Sequence, residues 1–103
     1  MTRPKEVVFS PEAEAQIVAL YRYLAIQASP AIAKKYTDSI VERCEGLGEM
    51  PLTGVARDDI RRGIRMLFFR KRVAIAYSVA AKSVTILAIF YGGQDYESLL
   101  RDD

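Results

Sequence analysis

Histidine and tryptophan are both absent from this 103-residue chain, and cysteine occurs once, as Cys44. Without histidine the chain lacks the side chain best suited to proton transfer near neutral pH. A lone cysteine excludes an internal disulfide, and no spaced Cys/His set exists to bind zinc, so no metal is expected. There is also no phosphate-cradling glycine loop and no Ser/His/Asp set, which leaves no cofactor to expect either. Long apolar runs are missing too. VTILAIFY, at 84–91, falls far short of the ~20 residues of a membrane-spanning helix, and MTRPKEVVF has no signal-peptide apolar block. The cytoplasm is the expected location.

Hydrophobic residues make up 50% of the chain and charged ones 27%, with no low-complexity tract, which is the composition of an ordered protein. The length suits one domain over residues 1–103, burying roughly 60 to 70% of the surface of its unfolded chain. A net charge of +2 is too small to imply nucleic acid by itself.

KEVVF at 5–9 predicts a short strand, and SPEAEAQ a helix start: Ser10 caps, Pro11 fits the first turn, and Glu12 and Glu14 suit the helix dipole. Ile17, Leu20, Tyr21 and Leu24 form an apolar stripe to about Gln27, with Gln16 and Arg22 facing water. Ser29-Pro30 repeats the signal, and Ile32, Ala33, Tyr36, Ile40, Cys44 and Leu47 continue at helical spacing; Cys44 reads as a small core hydrophobe. So short a connection predicts an antiparallel helical hairpin. After Gly46, Gly48 and the loop MPLTG at 50–54, alternation takes over. Val73, Ile75, Tyr77 and Val79 fall on one side, and Ala74, Ala76 and Ser78 on the other. Strands are predicted near 61–69, 72–80 and 83–91, joined as an antiparallel meander, although neither link has the Asn-Gly hairpin signature. The predicted class is therefore α+β: an N-terminal strand, a two-helix hairpin packed on one sheet face, and a three-stranded meander. The other sheet face is expected to be shallow, uncovered and rimmed by arginine.

Basic residues concentrate in RDDIRRGIRMLFFRKR at 57–72, where Arg57, Arg61, Arg62, Arg65, Arg70, Lys71 and Arg72 outnumber Asp58 and Asp59. Where that chain is extended, Arg61 and Arg65 should project from one face. A guanidinium fork clamps phosphates and carboxylates alike, so RNA, DNA, an acidic protein segment and a merely solvated strand all remain open. The pairs Asp58-Asp59 and Asp102-Asp103 read as turn and terminus.

VVFSPEAEAQIVALYRYL, CEGLGEMPLTGVARDDIRRGIR, VAIAYSV and VTILAIFYGGQD, taken in order, resemble the ParE branch of the RelE/ParE toxins over nearly the whole chain. The most specific parts are the run from Pro51 to Arg65 and the late strand ending in Gly92-Gly93-Gln94-Asp95. The resemblance implies a toxin that binds and poisons DNA gyrase. It also implies neutralisation, in a hetero-oligomer, by a ParD-like ribbon-helix-helix antitoxin with an acidic C-terminal segment. Its binding surface would comprise Arg57, Arg61, Arg62, Arg65, Arg70, Arg72, Tyr91, Gln94 and Asp95. The alternative is a RelE-like ribosome-dependent mRNA endonuclease, with Tyr91 or Tyr96 deprotonating a ribose hydroxyl and Arg61 and Arg65 bracing the phosphate. Against it, Gln94 and Leu100 stand where that branch has a basic side chain and a tyrosine. Tyr91 stands where many ParE-like chains carry histidine.

Overall fold

Ser10 and Ser29 open the two helices as their Ser-Pro pairs predict. In the computed structural model, which describes residues 3–92 and 99–101, the Ser10 hydroxyl accepts from Ala13 N at 3.0 Å and that of Ser29 from Ile32 N at 3.1 Å. Each satisfies an amide that the first helical turn cannot. Helix α1 spans Pro11–Gln27 and α2 spans Pro30–Glu45, followed by a 3-10 turn at Gly46–Gly48. Ala13, Leu20, Ala33, Thr37, Ile40 and Cys44 are buried, whereas Tyr21 and Ile32, expected in the stripe, are exposed.

The strands are β1 (Glu6–Phe9), β2 (Val55–Ala56), β3 (Ile64–Phe69), β4 (Val73–Val79) and β5 (Ser83–Tyr91). They form one five-stranded sheet in the order β1-β5-β4-β3-β2. β3, β4 and β5 are the predicted meander, and β2 extends it antiparallel beside β3. β1 adds parallel to β5, matching Glu6–Phe9 with Ser83–Ile86. The two helices form the long crossover that a parallel neighbour requires.

Alternation along β4 sorts the core as predicted. Val73, Ile75 and Tyr77 meet the helices together with Leu67, Val84, Ile86 and Ile89. The other face is not uncovered, which corrects the expectation from sequence. Ile60, from the turn before β3, and Leu100, near the chain end, join Ile64, Met66, Ala74, Ala76, Ala88 and Phe90 in a second buried cluster. The small side chains of Ala74 and Ala76 leave a trough that these neighbours fill. A bulge reconciles the two faces on β5: Ala76 pairs with Ala88 and Tyr77 with Ile86, so Leu87 is the extra residue and side-chain parity reverses across it.

The β3–β4 hairpin turns through Arg70 and Lys71, both left-handed with φ of 53° and 62°. Asparagine and glycine usually occupy such positions, because a Cβ there costs roughly 1 kcal/mol or more per residue. That explains the missing Asn-Gly signature: the turn geometry is present, and it is held by residues that fit it poorly.

Candidate functional site

Strand β3 cuts the basic segment in two. Its six residues span roughly 20 Å, so Arg57, Arg61, Arg62 and Arg65 gather at one end while Arg70, Lys71 and Arg72 sit at the other. The expectation that Arg61 and Arg65 share a sheet face is corrected here. The strand begins at Ile64, and Arg61 lies in the preceding turn, where its carbonyl accepts from Ile64 N at 3.2 Å.

At the first end, Arg57 and Arg65 are used internally. Arg57 grips Asp59 through Nε and Nη2, both at 2.9 Å, and this hydrogen bonding holds the Asp59 carboxyl below its usual range. Asp58 Oδ1 accepts from Gly63 N at 2.8 Å, closing a turn in which Gly63 adopts φ 81°. The acidic pair is therefore turn chemistry, as the sequence suggested. Arg65 Nε donates to Gly54 O at 3.0 Å, and its Nη2 donates to Gly54 O at 2.6 Å and Leu52 O at 3.2 Å. The same loop is held by Tyr77, whose hydroxyl accepts from Gly54 N at 2.7 Å and donates to Pro51 O at 2.8 Å. A Cβ on Gly54 would stand 2.8 Å from Met66 O, so only glycine fits against β3. Arg61 and Arg62 are exposed.

The other end has a different character. Arg70 Cζ lies 5.0 Å from the centroid of the Phe69 ring and 5.7 Å from that of Tyr36. Tyr36 meets Tyr91 edge-on at 6.0 Å and 87°, and Tyr91 meets Tyr23 at 6.2 Å. The Tyr36 hydroxyl oxygen is shielded from solvent and has no hydrogen-bond partner. Burial raises its pKa, Tyr91 adds to the rise, and Arg70 and Arg72 oppose it.

From this corner a groove of about 530 Å³ runs between α1 and β5, lined by Gln16, Leu20, Tyr23, Arg72, Ile89 and Tyr91 among others. β1 covers β5 only as far as Ile86, and beyond it side chains of the first helical region take over the strand edge. Ser10 Oγ donates to Leu87 O at 2.9 Å, and Gln16 Oε1 accepts from Ile89 N at 2.5 Å. Gln16 thus faces the groove rather than water.

Of the predicted binding residues, Arg70, Arg72 and Tyr91 come together, Arg57 and Arg65 are occupied at the far end, and Gln94 and Asp95 lie outside the described residues, as does Tyr96. Gln16, Tyr23 and Tyr36 were missed. Gln16 and Tyr23 are seven residues apart, two turns on one helix face, which was the available signal. Tyr36 read only as core. Cys44 is core indeed, its thiol pushed up to about 12 by burial. Among the described residues no acidic, cysteine or histidine group could hold a metal, and no helix is long and apolar enough to cross a membrane.

Comparison with known proteins places these features. Residues 7–96 match the family model described as "ParE toxin of type II toxin-antitoxin system, parDE". A solved structure described as the chromosomal ParDE TA system from P. aeruginosa is similar with a TM-score of 0.77 and 23% identity, over 88% of this chain and 99% of that one. At that identity the likeness is one of fold. No curated protein sequence gives a significant match.

Proposed function

The chain belongs to the ParE toxin family of type II toxin-antitoxin systems, and from that premise we propose that it inhibits DNA gyrase by binding and is neutralised by a co-encoded ParD-like antitoxin. The observation that carries the neutralisation is the α1–β5 groove. Leu20 and Ile89 give it an apolar floor, and Arg72 supplies positive charge, which suits an amphipathic acidic segment. Val18 and Ile26 on α1 and Ile32 on α2 are exposed apolar side chains, further surface for a partner to cover.

Inhibition by binding rather than by phosphodiester chemistry is favoured by the placement of Arg65 and Tyr91. Arg65 is paired across β3–β4 with Tyr77, and Tyr91 is paired across β4–β5 with Val73. Four residues along and two strands across, the two backbones lie roughly 15 Å apart. The Arg65 guanidinium is moreover held by Gly54 O and Leu52 O, on the β2 side of β3 and away from β5, so it is not poised to brace a phosphate for a base at Tyr91. Arg62, exposed on the turn before β3, is accessible to a target.

The test is growth and supercoiling. Expression without antitoxin should arrest growth, and purified protein should lower gyrase supercoiling or trap a cleaved DNA complex. Normal supercoiling without cleaved complexes across a wide protein excess would rule gyrase out. Messenger RNA cut at the ribosomal A site would point to the endonuclease branch.

A further inference from the structure

We propose that Tyr36, Arg70 and Arg72 form a carboxylate-binding subsite, receiving one aspartate or glutamate side chain of the antitoxin segment that occupies the α1–β5 groove. This rests on the toxin reading above and adds the position at which acidity is recognised. The sequence had centred that role on Arg61 and Arg65.

Three observations converge on the corner. The Tyr36 hydroxyl is unpartnered and shielded, and the exposed Arg70 lies over its ring, so a carboxylate that draws this guanidinium outward would uncover the hydroxyl and supply the acceptor it lacks. Arg70 lies over the rings of Phe69 and Tyr36, its Cζ 5.0 and 5.7 Å from their centroids, which draws its guanidinium to this corner. The turn that carries it keeps two non-glycine residues left-handed. Strain retained at a surface position is a pointer to function, and here it places Arg70 over the tyrosine. Arg72 follows at the groove itself. Among the described residues neither Arg70 nor Arg72 makes an ion pair; Asp38, which shares a hollow with Arg70 and Glu42, pairs with Lys34 instead. Two guanidinium groups and a hydroxyl donor match the acceptor capacity of one carboxylate.

A nucleic-acid phosphate would satisfy the same donors. The adjoining groove argues for a peptide, because Ala19, Leu20 and Ile89 offer apolar contact to a side chain and nothing to a sugar-phosphate backbone. Tyr23 and Tyr91 are tilted together at 55°, already in contact with each other.

The experiment uses the full-length chain and the full-length antitoxin encoded beside it, and measures affinity for wild type, Tyr36→Phe and the double variant Arg70→Gln/Arg72→Gln. The double variant should bind at least about tenfold more weakly and Tyr36→Phe roughly fivefold more weakly. The melting temperature of free Tyr36→Phe should equal or exceed that of wild type, since no hydrogen bond is lost. One Asp→Asn or Glu→Gln change in the antitoxin segment should reproduce the loss and be non-additive with the arginine variant. Equal affinity in either toxin variant overturns the subsite while leaving the toxin reading intact. Failure of the wild-type chain to bind the antitoxin at all overturns the reading itself. Loss of a 20-nucleotide single-stranded DNA by the double variant, with antitoxin affinity unchanged, overturns the subsite in favour of phosphate.

Discussion

Replacing Tyr77 with phenylalanine removes one oxygen atom and should loosen the loop between the 3-10 turn and β2. The ring is fully buried, so its packing is kept and the change isolates the hydroxyl. That hydroxyl holds two backbone groups, Gly54 N at 2.7 Å and Pro51 O at 2.8 Å. Each hydrogen bond is worth about 1 kcal/mol net, and stranding the Gly54 amide in a buried position adds its desolvation, for a total of roughly 2 to 3 kcal/mol. For a domain of this size each kcal/mol moves the melting temperature by about 4 to 8 °C, giving a fall of roughly 8 to 24 °C. Urea unfolding with an unchanged m-value should report the same loss. Amide exchange should show the Gly54 proton losing protection, while the amides of β4 and β5 follow only the global change. A loss below about 0.5 kcal/mol, or full protection at Gly54, would show that the hydroxyl does not hold the loop.

Other positions give distinct signatures. Ser10→Ala removes a helix cap and the bond to Leu87 O together, and should cost about 1 to 2 kcal/mol by denaturant unfolding; no change would return the cap to solvent exchange. Lys71→Gly, against the usual penalty of glycine, should stabilise the chain by roughly 1 kcal/mol, because φ 62° favours it; a lower melting temperature would refute the strain. Arg65→Met should lower stability by about 1 to 2 kcal/mol, after discounting for partial exposure, and should be non-additive with Tyr77→Phe, since both act on Gly54. The folded Cys44 thiol stays protonated to about 12 against 9.0 when unprotected, so the unfolded chain releases this proton first and stability falls from pH about 9 upward. Relative to Cys44→Ala, wild type should lose up to roughly 1.4 kcal/mol per pH unit in that range, and parallel pH profiles would contradict the burial.

The elements with local causes were legible in the sequence. Both Ser-Pro caps lie where the residues put them, and the β4 alternation sorted Val73, Ile75 and Tyr77 to the helical face. What escaped depends on contacts distant along the chain. β2 is two residues long and is a strand only because Val55 and Ala56 pair with Met66 and Arg65. The parallel seat of β1 beside β5 and the bulge at Leu87 are likewise set by partners. Arg61 and Arg65 share a face only where the chain is extended, and Gly63, with a φ of 81°, makes a turn between them; glycine between arginines is the breaker that marks it. Gln16 looked like a solvent-facing polar residue because nothing local reveals that β5 outruns β1 and leaves Ile89 N to be satisfied.

A guanidinium group in this chain takes its role from the end of β3 on which it falls. At the start of the strand, carbonyls of a tight loop and a neighbouring carboxylate are within reach, and Arg65 and Arg57 are drawn into the structure. At its end the neighbours are rings: they orient Arg70 without neutralising it, so its charge is still available to a partner. The sixteen-residue span that looked like one basic surface therefore contains a fastening at one end and, at the other, guanidinium groups that make no ion pair among the described residues, separated by the length of a strand that carries no charge beyond Arg65. Fold similarity at 23% identity says nothing about this division, because it concerns which side chains are left over after the fold is made. Charge-reversal experiments along the segment should consequently separate by position. Changes at Arg57 and Arg65 should act mainly on the stability of the free chain, and changes at Arg70 and Arg72 on its affinity for an acidic partner. A uniform effect of all four on affinity, at unchanged stability, would mean the segment is a single surface after all.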